Sequence, residues 1–145
     1  MFKLFNKYKR LEKTERKILN RTFFWLIYAF ILVRFIPLRW FSSILGEFNK
    51  EIEVELSKVD IKIIKVQQKN IRRLKRFLPW QIKCFEEAIT AKKVLETYNI
   101  KSTLFLGVAK ESGKGLKAHA WLKFGDNFVA GEKGHKQYVV TGFYS

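Results

Sequence analysis

Cys84 and His119 are the residues whose types and spacing can do covalent chemistry. The chain has one cysteine and two histidines among 145 residues. Cys84 follows the punctuation Pro79-Trp80 and opens a segment in which Ala88, Ala91, Leu95 and Tyr98 recur every three or four positions, the period of a helix. A helix start concentrates unpaired N–H groups and about half a positive charge, which favours a thiolate there. His119 comes 35 residues later, in Lys117-Ala118-His119-Ala120-Trp121, on a segment that reads as a strand. An imidazole brought to the thiol takes its proton, the thiolate attacks a carbonyl, and the imidazolium protonates the departing amine. By residue type alone, a small buried hydrophobe and a structural hydrogen-bonding His stay open as the alternative for each. One Cys rules out an internal disulfide and a thiolate zinc site, and with only two His a zinc enzyme is not expected. No metal or other cofactor is expected.

Two unlike stretches must position this pair. Residues 1–77 read as a basic, mainly helical amino-terminal region with an apolar segment over 22–45, and residues 78–145 as the catalytic core. Met1–Arg21 is rich in Lys and Arg; Phe23–Val33 carries no charge; Arg34, Pro37 and Arg39 then interrupt. About 20 apolar residues are needed to span a bilayer, and no small-residue cleavage site marks a signal peptide. A buried hairpin helix, or a helix lying on a membrane or partner, is expected instead, with a break at Pro37. Ile52, Val54 and Leu56 alternate with glutamates, but Ile52, Leu56, Val59, Ile63 and Val66 also fall at helical spacing, so Ile52–Val66 reads as helix. The tract Lys69–Phe77 is the most basic of the chain and reads as a solvated helix face with Ile71, Leu74 and Phe77 turned inward.

From Gln81 to Tyr98 the pattern is helical, closed by Asn99, with Glu86 and Glu87 early and Lys92 and Lys93 late, as the helix dipole prefers. After Asn99 the period changes. Thr103–Val108, Leu116–Phe124, Phe128–Ala130 and Gln137–Tyr144 read as strands separated by glycine-bearing turns. One helix followed by an antiparallel meander makes the fold class α+β.

The segments Leu78-Pro79-Trp80-Gln81-Ile82-Lys83-Cys84, Thr103-Leu104-Phe105-Leu106-Gly107-Val108 and Ala118-His119-Ala120-Trp121-Leu122, with Ala88 and Leu95 between them, resemble one family. It is the transglutaminase-like leader peptidase of lasso-peptide biosynthesis, the stand-alone protease half of the B protein. Val129-Ala130-Gly131-Glu132-Lys133-Gly134-His135 also resembles a subgroup of it. The likeness covers about residues 78–143 in motifs and, more loosely, 22–46, with Pro37 and Gly46. It implies a papain- or transglutaminase-like fold and a bacterial, cytoplasmic cysteine peptidase that cuts the leader from a ribosomally made precursor peptide. It also implies two partners, a small leader-binding protein and an ATP-dependent lasso cyclase.

The family commonly has Asp twelve residues after the His, where this chain has Gly131. If Gly125-Asp126-Asn127 forms a hairpin turn, residues near 133 stand opposite His119, which makes Glu132 the carboxylate candidate. Asp126 is the fallback, on the order of 20 Å away along the strand at about 3.3 Å per residue. A backbone carbonyl or a water can orient the imidazole instead. For the oxyanion, the Cys84 N–H is the generic donor at a helix start, with Gln81 or the Trp80 indole as the second. Trp121 shares the strand face of His119 and walls the cleft. His135 has no assigned role.

Charge supplies the competing readings. Lys and Arg number 29 against 13 Asp and Glu, a formal net charge of +16, most of it in the amino-terminal half. A non-catalytic basic module for nucleic acid or an anionic membrane surface is the alternative function. The aromatics lie in apolar runs rather than among the cations, so no nucleic-acid partner is expected. Peripheral membrane contact through Phe23–Trp40 is compatible with peptidase activity.

Overall fold

The computed structural model describes residues 2–53 and 55–145; Val54 lies outside them. Helix α1 (Phe2–Lys9) leads into the long α2 (Lys13–Phe35). Ile36 is extended (φ −122°, ψ 129°), as a residue before proline prefers. Pro37 then caps the short α3 (Leu38–Phe41), and a 3₁₀ turn runs over Ser42–Leu45. The break expected at Pro37 is present.

The next helix starts later than its apolar spacing suggests. Residues 51–53 and 55–57 have no regular structure, and α4 spans Lys58–Lys75. The cap decides the boundary: Asp60 N–H donates to Ser57 Oγ (3.1 Å) and Ser57 N–H donates to the Asp60 carboxylate (2.9 Å), a reciprocal capping box. Val59, placed on the inner stripe by spacing, is exposed, and α4 buries Ile64, Gln67, Asn70 and Ile71 instead. In the basic tract Ile71 is buried, Leu74 half-buried and Phe77 exposed.

Helix α5 (Cys84–Glu96) ends as expected near Asn99, whose φ of 59° turns the chain. Strands β1 (Thr103–Glu111), β2 (Gly115–Phe124), β3 (Asn127–Ala130) and β4 (Val139–Tyr144) form one antiparallel sheet in the order β3-β2-β1-β4. The simple meander is therefore corrected. β4 does not pair with β3; the chain crosses the sheet over residues 131–138 and pairs on the other side of β1, with Leu104 opposite Tyr144 and Phe105 opposite Phe143. The chain end is tied down by Glu47 and Ser145, whose backbones exchange hydrogen bonds of 2.7 and 3.1 Å.

The pleat gives this sheet two different faces. Leu104, Ala120 and Leu122 join Ala88, Ala91 and Leu95 of α5 in one core, which also takes Ala29 and Leu32 of α2 and Ile64 of α4. Alanines at 88, 91 and 120 let helix and sheet approach closely. The two stretches of the chain thus share one core, and the architecture is α+β. On the opposite face Phe105, Trp121 and Phe143 stack together, and His119 stacks on Trp121.

Candidate active site

Cys84 is the first residue of α5, a half-buried free thiol against the core. Its helix start is held from both sides. Glu86 is fully buried, its carboxylate taking Arg34 Nε at 2.8 Å and the Lys83 N–H at 3.1 Å. A second guanidinium nitrogen of Arg34 donates to the Gln81 carbonyl at 3.0 Å. Arg34 also lies over the Phe30 ring (4.4 Å), and Phe30 packs on Trp80 at 5.0 Å. One α2 side chain therefore grips the backbone before the cysteine and the carboxylate after it. The Glu86 charge, which alone would oppose an anion at a helix start, is matched by Arg34.

His119 lies in the middle of β2, across from Gly107, half-buried. Its Nε2 donates to the Gly131 carbonyl at 2.7 Å. Its ring lies between Trp121 (5.9 Å) and Tyr138 (4.9 Å). With Nε2 committed as a donor, the neutral imidazole carries its lone pair on Nδ1. That is the atom that can take a proton.

Gly131 serves this contact through its backbone. β3 ends one residue earlier, with Ala130 opposite Leu122, and Gly131 turns the chain at φ +72°. A Cβ there would sit 2.3 Å from the Ala120 carbonyl, so glycine is what lets the chain close over His119. The strand geometry that placed residues near 133 across from His119 fails here, because β3 has already ended. Glu132 is exposed, and its backbone carbonyl accepts from His135 Nδ1 (2.6 Å); among the described residues its carboxylate makes no bond to His119. Asp126 is exposed at the β2–β3 hairpin, beside Glu51, Glu53 and Glu55. The partner that orients the imidazole is the Gly131 carbonyl and neither carboxylate.

The other anticipated residues divide. Trp80 is half-buried, and among the described residues its buried indole Nε1 has no hydrogen-bond partner. Gln81 is exposed, its carbonyl held by Arg34. Trp121 is buried and nearly parallel to Phe105 (5°). Helix α5 packs on β2, so Cys84 and His119 ride on neighbouring elements. Among the described residues no hydrogen bond joins the Cys84 thiol to His119. His119 leaves β2 on the Trp121 side, away from Ala120 and Leu122 under α5. A Cys84–His119 contact would have to form at the open amino-terminal end of α5 and not beneath its length.

Read from the sequence, Arg34 and Tyr138 have no place in the site, Glu86 is only a complement to the helix dipole, and the orienting backbone carbonyl, here that of Gly131, is unspecified. One signal pointed to Arg34 and Glu86: Arg34 is the one charge in the apolar stretch Thr22–Phe35, and such a charge needs a partner. No curated protein and no solved structure gives a significant match. A family model described as Transglutaminase-like superfamily matches residues 32–142. That stretch is most of the chain and includes Arg34, the whole of α5 with Cys84, His119 and Gly131, and on this match the chain belongs to the transglutaminase-like superfamily.

Proposed function

We propose that this protein is a cysteine peptidase that removes the leader from a ribosomally made precursor peptide during lasso-peptide maturation. Cys84 is the nucleophile and His119 the base. The observation that carries the reading is the His119 Nε2 bond to the Gly131 carbonyl, which leaves Nδ1 as the proton acceptor within a transglutaminase-like domain. A half-buried cysteine at the first residue of a helix supports it.

The chemistry balances without a metal or nucleotide. Nδ1 takes the thiol proton, and the thiolate adds to the carbonyl at the leader–core junction. The oxyanion meets the N–H of Cys84, with the partnerless Trp80 indole as the second donor. Collapse breaks the C–N bond, and the imidazolium hands its proton to the departing core amine. The leader remains as a thioester on Cys84. Water, deprotonated by His119, releases the leader acid and restores the thiol. The partners in this reading come from the resemblance to the lasso-peptide leader peptidases: a small leader-binding protein to present the leader and an ATP-dependent cyclase to consume the core.

Mass spectrometry of the precursor incubated with this protein and the leader-binding protein tests the reading. Cys84→Ala and His119→Ala each stop leader release with an unchanged circular dichroism spectrum. His119→Ala also slows alkylation of Cys84 by iodoacetamide. Leader release by folded Cys84→Ala protein would overturn the reading.

A further inference from the structure

A strip of exposed apolar side chains runs along one side of α2. α2 buries one side, Ile18, Thr22, Leu26, Ala29 and Leu32, against the rest of the fold. Its other side presents Phe23, Phe24 (63% exposed), Ile27, Ile31 (46%) and Phe35 (72%) to solvent, and Trp40 (70%) follows just beyond the helix. At about 100° per residue, the five helical residues fall within an arc of roughly 120° and extend over about 18 Å of axis. Soluble monomers rarely expose a contiguous apolar strip of this size.

The charges around the strip name its occupant. Continued toward the amino terminus, the same arc carries Lys13, Arg16 and Lys17. At the far end stands Arg39, over the Trp40 ring at 5.9 Å, while the charge of Arg34 is already matched by the buried Glu86. Cations at both ends and aromatics between them match a surface that is anionic at its boundary and apolar just below. We propose that this face of α2, with Trp40, docks the protein onto the interface of an anionic lipid bilayer. The phenylalanine and isoleucine side chains enter the acyl boundary, and the lysine and arginine side chains stay at the headgroups.

The helix is also long and apolar enough to cross a bilayer. Spanning would strip Ile18, Leu26 and Ala29, each wholly buried, from the core they share with the rest of the fold. The helix therefore lies in the interface, half in protein and half in lipid. The surface is independent of the peptidase reading.

Vesicle flotation of the full-length protein tests the proposal. The protein floats with vesicles of mixed phosphatidylglycerol and phosphatidylcholine, and binds vesicles of phosphatidylcholine alone at least about tenfold more weakly. High salt weakens the first binding. The triple variant Phe24→Gln, Ile31→Gln and Phe35→Gln loses about a hundredfold or more in partitioning while keeping its thermal melt. The double variant Lys13→Glu and Lys17→Glu, which leaves every apolar contact in place, loses anionic binding on its own. Cys84→Ala binds vesicles as the wild type does. Three results would each overturn the proposal: equal binding to both vesicle types, unchanged binding by the folded triple variant, or a wild type that dimerises through this face in light scattering and ignores vesicles.

Discussion

The two faces of the sheet are built from different materials. Under α5 the contact is aliphatic and close, alanine against alanine, with Ala88, Ala91 and Ala120 almost fully buried. On the other face the side chains are rings: Phe105, Trp121, Phe143, Tyr138 and the imidazole of His119, held by one backbone carbonyl from the crossing segment. The first face joins the layers of the fold, and the second presents a proton acceptor. A strand that alternates Ala118-His119-Ala120-Trp121-Leu122 serves both at once, because neighbours point to opposite sides.

Substitutions on either face separate these roles. Gly131→Ala has the largest effect: its Cβ meets the Ala120 carbonyl at 2.3 Å with φ at +72°. It costs about 3 kcal/mol or more in denaturant melts, and leader release is lost with it. A melt within error of wild type would show that the crossing segment can move away without cost. Ala120→Leu attacks the other face and, by overpacking against α5, costs about 2 kcal/mol; His119 stays in place, so folded Ala120→Leu protein retains its activity per molecule. Trp121→Phe removes one ring from the stack. It lowers stability by about 1 kcal/mol and leader release more than the Ala120 variant does.

The smallest effect is a pH slope. Lys92 is almost fully buried on α5, its ammonium donating to the Ser102 carbonyl at 2.8 Å. Burial holds its pKa below the ordinary 10.5, against the partial offset of Glu96. The unfolded chain therefore binds this proton more tightly than the folded one, and stability rises with pH across the window below 10.5. Relative to Lys92→Met, the wild type gains stability from neutral pH toward that value. Urea melts at a series of pH values check the sign; a falling difference would contradict it.

Local signals made much of this fold legible. The helix after Pro79-Trp80, the left-handed stop at Asn99, the hairpin over 103–124 and the turn at 125–126 each have a residue that forces them. Strand order did not, because alternation says which way a side chain points and not which edge a strand will pair with. The boundary of α4 was missed because Ile52, Leu56 and Val59 satisfy two periods, and only the Ser57–Asp60 box separates them. In the candidate site, Cys84 and His119 are visible as residue types. The group that orients His119 is not, since every residue has a carbonyl. A search for carboxylates leads to Glu132 and passes over the neighbour whose lack of a side chain matters.

Arg34 belongs to two systems at once. It stands at the edge of the solvent-facing strip of α2, and it holds Gln81 and Glu86, the positions that bracket Cys84. α2 is thus joined to the start of α5 by a polar anchor on either side of Cys84 as well as by the apolar core it shares with that helix, so a displacement of α2 would be felt first at the backbone that carries the thiol.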